Sequence, residues 1–237
     1  MKYLVLAIIT LALGAPSHIA SAQSNQAAQE RIVVTGSRIT RALDRPSIAK
    51  RIRADFILVD VVYQSGTRDA SERRRELETM FNRLKEADSK NPNVFLQGGS
   101  AYGRIPIETI LFSDILDEYE LDDGYTFSLT LGIETGQTGT FDAVLARGQA
   151  FIDAIPLAGR AEAYLKEDQY IGARNSDAHR ADLLRLIAAE VEDLKSVFGS
   201  SEVTVTGLEN RVISQPAAAL GIDVFLPYTI TVKALSN

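Results

Sequence analysis

Two stretches of the sequence show the same order of patterns: a strand, a polar turn and an amphipathic helix. The first covers residues 54–87 and the second covers residues 125–155. A strand turns alternate side chains to opposite faces, whereas a helix returns to one face every three or four residues, so the two patterns can be distinguished. The repetition limits the chain to folds in which helices cover a sheet.

The first unit begins with ADFILVDVVYQSG at residues 54–66, which is rich in β-branched and aromatic residues and ends at a glycine. This composition predicts a strand. Asp69, followed three residues later by Glu72, is typical of a helix start. The apolar residues that follow are spaced as on one helical face, which we expect to be core: Leu77, Met80, Phe81 and Leu84.

A run of arginines, residues 73–75, lies mostly outside that apolar face. We predict that these side chains are solvated and pair with Glu72, Glu76 and Glu78 on the helix surface. Binding of an anion is the alternative.

The second unit and a third helix have equally clear faces. One strand face carries Phe127, Leu129, Leu131 and Ile133, and the helix after it carries Val144, Leu145, Phe151, Ile152 and Ile155. The third helix is predicted within residues 176–199, with Gly199 as its stop. Its apolar side consists of Leu184, Ile187, Ala188, Val191, Leu194 and Phe198.

The remaining segments are shorter. RIVVTGSRIT at residues 31–40 predicts a strand and a Gly turn, and the basic residues 40–53 predict a connection. NVFLQ at residues 93–97 predicts a strand, and GGSAYG at residues 98–103 predicts a flexible loop. The type of element near residues 106–124 stays open, with Ile110, Leu111, Ile115 and Leu116 as candidate core residues.

The chain finishes with two predicted strands, residues 202–214 and 222–235, joined by the small-residue turn QPAAALG. We therefore predict an α+β fold: a mostly antiparallel sheet, covered by two or three long amphipathic helices, with repeated β-α units. Residues 31–237 form a single domain, or two β-α lobes at about 31–123 and 124–237.

The N-terminus predicts secretion. Residues 1–22 combine Lys2, a short apolar run and Ala20-Ser21-Ala22, which is the pattern of a bacterial signal peptide cleaved after Ala22. The small polar residues 23–30 predict a disordered lead-in. No later segment is long and apolar enough for a membrane-spanning helix, so we expect a periplasmic protein.

Composition and motifs offer little chemistry. The chain has no Cys, which excludes disulfides and thiolate metal sites, and its net charge of −6 is opposite to that of nucleic-acid-binding proteins. His179 is expected at a surface or boundary position of the last helix. Neither a phosphate-binding Gly loop nor a Gly-x-Ser-x-Gly elbow occurs. We predict no catalytic, cofactor-binding or metal-binding residue, although cation binding by the acidic segment 114–123 and catalysis by some carboxylate pair stay open.

Two family resemblances can be stated. IVVTGSRI is similar to the segment that opens the plug of TonB-dependent outer-membrane receptors, but the rest of the chain is too short for a barrel of about 22 strands, so this likeness is coincidental. Over most of its length the chain resembles the SIMPL-domain family of bacterial envelope proteins. RIVVTGSR would be the opening strand, the two β-α units would follow, and SDAHRADLLRLI and GIDVFLPYTITVKAL would be the helix and the closing strand. The basic insertion 40–53 and Pro227 depart from that pattern.

That resemblance implies a non-enzymatic envelope protein, associated with stress tolerance, that acts by self-assembly or by binding an envelope partner, and it implies a homo-oligomer. The alternatives are a periplasmic module that binds a small molecule or lipid between sheet and helices, and a hydrolase that uses a carboxylate pair.

Overall fold

A computed structural model describes residues 47–100, 103–119, 124–199 and 201–234, all within one compact unit, Ile32–Asn237. The predicted signal peptide, the lead-in and RIVVTGSRIT lie outside the described residues. So do residues 120–123 of the acidic segment and the start of the predicted connection 40–53.

The described residues form three helices and eleven strands in antiparallel sheets, which confirms the predicted α+β class. The helices are α1 (Ala70–Lys90), α2 (Phe141–Asp153) and α3 (Arg180–Phe198). The strands are β1 (Lys50–Arg53), β2 (Phe56–Ser65), β3 (Val94–Ser100), β4 (Gly103–Pro106), β5 (Leu116–Tyr119), β6 (Gly124–Glu134), β7 (Ala161–Gly172), β8 (Ser201–Thr206), β9 (Ile213–Ala218), β10 (Gly221–Phe225) and β11 (Thr229–Ala234).

The main sheet has the strand order β4-β3-β6-β2-β7, and β5 pairs with the beginning of β6. Strand β6 therefore lies between β2 and β3, the two strands that α1 connects. This is the split β-α-β arrangement: α1 connects β2 and β3 across β6, and α2 connects β6 and β7 across β2. Both β-α units contribute strands to this one sheet.

Helices α1 and α2 pack on the same face of the main sheet. The predicted face of α1 is buried, with Leu77, Met80 and Leu84 each 0% exposed. The Phe81 ring meets the Phe127 ring of β6 edge-on at 6.1 Å and lies 5.8 Å from the Phe112 ring. In α2, Gly148 permits close approach to the sheet, because a Cβ there would lie 2.3 Å from Ile133 Cδ1. The predicted apolar faces of both units are therefore core.

Two smaller sheets complete the described fold. Strands β1, β10 and β9 form a three-stranded sheet whose Ile222 and Val224 join the main core. Strands β8 and β11 form a two-stranded ribbon. Beside it, Leu183 and Ile187 of α3 pack with Leu226 in a small second core.

The structure corrects several segment predictions. The predicted loop 98–103 is mostly strand, since Gly98 lies in β3 and Gly103 begins β4. Glycine is needed at position 98 because a Cβ would lie 2.5 Å from Ile110 Cδ1, so the Gly pair allows close packing here rather than flexibility. The predicted connection 40–53 ends in strand β1, which pairs with β10.

Each of the two predicted closing strands is really two strands. A turn separates β8 from β9, and Pro227 separates β10 from β11 because proline lacks the amide proton that a ladder requires. Most of the predicted turn QPAAALG belongs to β9, and the chain turns only at Ala219 and Leu220.

Two predicted apolar surfaces were partly wrong. On α3 the buried residues are Leu183 and Ile187, whereas Ala188 is exposed and Phe198 is 56% exposed, because the small core covers only the first half of the helix. Between two short 3-10 helices, Ile110 is buried but Leu111 is 66% exposed, since the chain turns outward there.

Candidate functional site

The outer strand β7 of the main sheet has features that discourage pairing with a further strand. Its register with β2 shifts between Val59 and Val61, and the exposed charged residues 166–168 lie opposite this irregularity. Bulges and charged side chains are the usual means by which sheet edges avoid association. The edge of β7 is therefore protected.

Other outer strands are protected in different ways. Strands β1, β4 and β5 have four residues each. In addition, β4 ends at Pro106, β1 carries Lys50, Arg51 and Arg53, and β9 contains Pro216. Short length, charge and proline each reduce the ability of an edge to accept another strand.

The ribbon of β8 and β11 lacks these features. Its six residue pairs run without interruption from Ser201 opposite Ala234 to Thr206 opposite Thr229. Neither strand contains proline, and each has one charged residue, Glu202 and Lys233, which lie opposite each other. Among the described strands, β8 and β11 pair only with each other.

The two faces of the ribbon differ. Val203, Val205, Ile230 and Val232 are half-buried, whereas Thr204, Thr206, Thr229 and Thr231 are exposed. Helix α3 packs against β8. A two-stranded sheet has little stability by itself, so a further strand along one of its edges would add stability.

The second candidate surface is the face of the main sheet opposite α1 and α2, which we call the open face. Cross-strand partners share a face, so Asp60 of β2, Thr130 of β6 and Gln97 of β3 form one row across it. Arg104 of β4 lies on the same face, opposite Gly99. Tyr170 of β7 is there too, opposite Leu58.

Asp60 already has two partners on the open face. The Thr130 hydroxyl donates a hydrogen bond of 2.7 Å to Asp60 Oδ1. The Lys166 ammonium lies 4.0 Å from Asp60 Oδ2. The negative charge of Asp60 is therefore largely satisfied by these neighbours.

Arg104 is not satisfied in the same way. Burial lowers the pKa of the half-buried Arg104 guanidinium, while Asp60 and Tyr170 oppose this change through space. Among the described residues, Arg104 Nη1 has no hydrogen-bond partner, and the same holds for Gln97 Oε1, on a side chain that is 8% exposed. Buried polar groups are normally paired, so these two are unusual.

At one end of the open face, an aromatic cluster is held by an ion pair. The Phe56 and Phe95 rings meet edge-on at 5.7 Å, and the Arg174 guanidinium lies 5.2 and 5.3 Å from their centroids. Arg174 Nη1 also donates to Glu134 Oε2 at 2.9 Å. This cluster has paired charges and a structural role.

A carboxyl pair joins the end of α1 to the segment after β4. Burial, and secondarily a hydrogen bond with the Glu108 carboxylate, raises the pKa of Asp88 to about 7, against the opposing hydrogen bond from the Leu96 amide. The burial and the neighbouring carboxylate therefore favour the protonated form of Asp88.

The candidate residues considered from sequence lie elsewhere. His179 belongs to a 3-10 turn just before α3, at a boundary position, with Nδ1 3.5 Å from Lys50 Nζ. Arg73 contradicts the predicted solvated run: it is 6% exposed, donates to the Thr67 carbonyl oxygen at 2.8 Å and lies 5.2 Å from the Tyr125 ring centroid. Its long side chain folds back over the turn between β2 and α1.

The interface between the main sheet and its helices is filled by buried side chains, including the Tyr63 and Phe127 rings stacked at 5.0 Å. Within the described ranges, no group of three or more His, Asp or Glu residues could hold a metal ion. None of the helices described here is long and apolar enough to span a bilayer.

Comparisons with models of known protein families, with curated proteins and with solved structures found no match for the chain.

Both candidate surfaces were missed by sequence reasoning. The sequence of residues 98–103 predicted a loop, so Arg104 was not recognised as part of a strand. The ribbon was not predicted because its two strands lie about 20 residues apart in sequence. Each of them was also predicted as part of a longer strand. An alternation of Val and Thr in residues 203–206 and 229–232 is the signal that could have indicated it.

Proposed function

We propose that this protein is a non-enzymatic envelope protein of the periplasm that acts by self-assembly, with β11 of one copy pairing with β11 of a second. The regular edge of the ribbon, which pairs with no other described strand, is the observation that carries the proposal. Every other outer strand named above is short, charged, irregular or interrupted by proline, so association is favoured at this one place.

The sequence of β11 suits pairing with itself in antiparallel orientation. A two-fold axis at Thr231 places that residue opposite its copy, Ile230 opposite Val232, and Thr229 opposite Lys233. No like charges meet, and the half-buried Ile230 and Val232 side chains gain further cover. The edge is thus self-complementary, as a two-fold interface requires.

Strand β11 is a better candidate than β8. Helix α3 packs against β8 and leads directly into it, whereas β8 is the one described element that packs substantially against β11. The outer edge of β11 is therefore more open to a second copy.

The test is to measure the mass of the purified protein by size-exclusion chromatography with light scattering. We expect the wild type to self-associate and Thr231→Lys to have half its mass, because two ammonium groups would then face each other across the axis. Such like-charge pairing should weaken association about tenfold. Thr204→Lys is the matched control, since Thr204 lies opposite Thr231 on the same exposed face but belongs to β8.

A wild type that stays monomeric at high concentration would contradict self-assembly. Equal loss of association in both variants would contradict the β11 interface, because only Thr231 lies next to the proposed axis.

Periplasmic location rests on the N-terminal pattern and on the resemblance to the SIMPL-domain family. The intact mass of the protein recovered from a periplasmic extract should correspond to a chain that begins at Gln23. Recovery in the cytoplasmic fraction with Met1 to Ala22 still attached would contradict this part of the proposal.

A further inference from the structure

We propose that residues 42–46 of this chain continue in extended form along α3 and cover the exposed end of that helix. This path places Arg45 beside Asp193 and Leu43 beside Val197. The surface belongs to α3, whereas the proposed contact between copies is at the edge of β11, so the inference does not depend on self-assembly.

The first described residues already run along α3. Lys50 Nζ lies 2.6 Å from Asp182 Oδ2, near the start of the helix. The Ser47 hydroxyl donates a 2.7 Å hydrogen bond to Glu190 Oε1, about two turns further on. Going back from Lys50 to Ser47, the chain therefore moves toward the C-terminal end of α3.

The two contacts also give the scale of this path. Three residues of extended chain cover about 10 Å, and the eight helix residues that separate the two acidic partners cover about 12 Å. The chain is therefore extended here. In the same form, every two residues before Ser47 advance by about 7 Å, which is the rise of roughly four to five helix residues. Arg45 then lies beside residues 193–195, and Leu43 beside residues 197–199.

The sequence before Ser47 suits an extended path. Pro46 disfavours the helical conformation of the residue that precedes it. Alternate residues of an extended chain face the same way, so Arg45 and Leu43 face α3 together with Ser47. The segment thus presents one basic and one apolar side chain to the helix.

The side of α3 along this path has matching positions. Leu186, Glu190, Asp193 and Val197 are spaced as one helical face. Leu186 is 42% exposed and Val197 is 75% exposed. Among the described residues, the exposed Asp193 carboxylate has no ion-pair partner. This face therefore suits a segment that pairs a positive charge with Asp193 and places an apolar side chain on Val197.

Charge and connectivity both favour this chain's own segment as the occupant. Residues 31–46 contain four arginines and one aspartate, a net charge of +3, whereas the helical face carries two carboxylates. Ser47 is already held at Glu190, so Leu43 is tethered only four residues from its position on the helix. Such a tether gives a high effective concentration, which a separate partner lacks.

Disulfide cross-linking tests the position of Leu43. The chain has no cysteine, so Leu43→Cys combined with Val197→Cys introduces a single pair. Under mild oxidation we expect this pair to form an internal disulfide about tenfold faster than Leu43→Cys with Lys195→Cys, because Lys195 lies on nearly the opposite side of the helix, beyond disulfide reach. In urea the two pairs should react at equal rates, which controls for thiol reactivity.

Tryptic cleavage tests the position of Arg45. Cleavage after Arg41 reports how often the segment leaves the helix, while Pro46 protects the site at Arg45. Asp193→Asn should raise the rate of cleavage after Arg41 roughly twofold to fivefold, as expected for the loss of an exposed ion pair. Glu192→Gln, at the neighbouring exposed position, is the matched control and should leave the rate unchanged.

The substituted positions on α3 are all exposed, so the helix remains folded in every variant. The proposal is overturned if both cysteine pairs react equally fast in the folded protein, or if Asp193→Asn and Glu192→Gln are cleaved at the same rate. A disulfide that joins two chains, seen as a doubled mass on a non-reducing gel, would assign this surface to a second copy and would also overturn it.

Discussion

At the scale of single residues, Arg104 departs from ordinary protein interiors, because its Nη1 is enclosed without a hydrogen-bond partner among the described residues. A half-buried charge without a full set of partners lowers stability. We expect Arg104→Met to raise the free energy of unfolding by up to about 1 kcal/mol, since the methionine keeps an apolar stem without the charge. Urea denaturation of the variant and of Arg75→Met, at an exposed position of α1, measures the difference. A loss of stability confined to Arg104→Met would show that the guanidinium stabilises the sheet.

Asp88 gives a pH dependence at the same scale. Its pKa in the folded protein, about 7, lies above its ordinary value of 3.8, so the folded state holds the proton more tightly. Stability from this group is fully present below pH of about 4 and is lost as the pH rises through about 7. Because half of the group is solvated, we expect the loss to be roughly 1 kcal/mol.

Asp88→Asn keeps an acceptor for the Leu96 amide and gives Glu108 a permanent donor. Thermal unfolding between pH 4 and pH 8 should therefore be less pH-dependent in this variant than in the wild type. Equal pH dependence in the two proteins would mean that Asp88 does not titrate in this range.

Some roles of single residues could be predicted from the sequence. Asp69 caps α1 through a 2.8 Å bond from the Glu72 amide to Asp69 Oδ1, as its spacing predicted. Gln97 and Arg104 could not be identified as neighbours in space, because they are brought together by the pairing of β3 with β4. The glycines between them predicted a loop instead of these two strands.

At the scale of elements, α1 and the strands under it carry the main core. Phe81 is 2% exposed and packs against the rings of Phe112 and Phe127. We expect Phe81→Ala to lower the free energy of unfolding by roughly 3–5 kcal/mol through lost burial and a cavity. Leu111→Ala is the control, because Leu111 is 66% exposed and should change stability by less than about 0.5 kcal/mol. Similar effects of both changes would refute this placement of the core.

Element prediction succeeded where one face is buried and failed where burial is weak. Strand β7 was not predicted, because its middle residues 166–169 are all exposed and charged or polar, so no alternation marks it. Pairing with β2 makes it a strand. Helix α3 was predicted, but its buried side was placed only partly correctly, because apolar residues occur on more than one side of it: Ile187 is buried as predicted, and Leu183 is buried although it was not predicted.

At the scale of the whole molecule, the fold class followed from the two β-α units, but the strand order did not. The insertion of β6 between β2 and β3 depends on pairings between residues far apart in sequence, such as Asp60 with Thr130. Periodicity records which face of an element is apolar and carries no information on its neighbours.

Self-assembly through β11 is the central claim at this scale, and complementary charges test it most directly. Thr231→Lys and Thr231→Glu should each weaken self-association, because identical charges meet at the two-fold axis. Mixing the two variants places Lys opposite Glu, and native mass spectrometry should then show a mixed dimer more abundant than either dimer of identical chains. Absence of the mixed dimer, or dimers of each variant as abundant as those of the wild type, would contradict the claim.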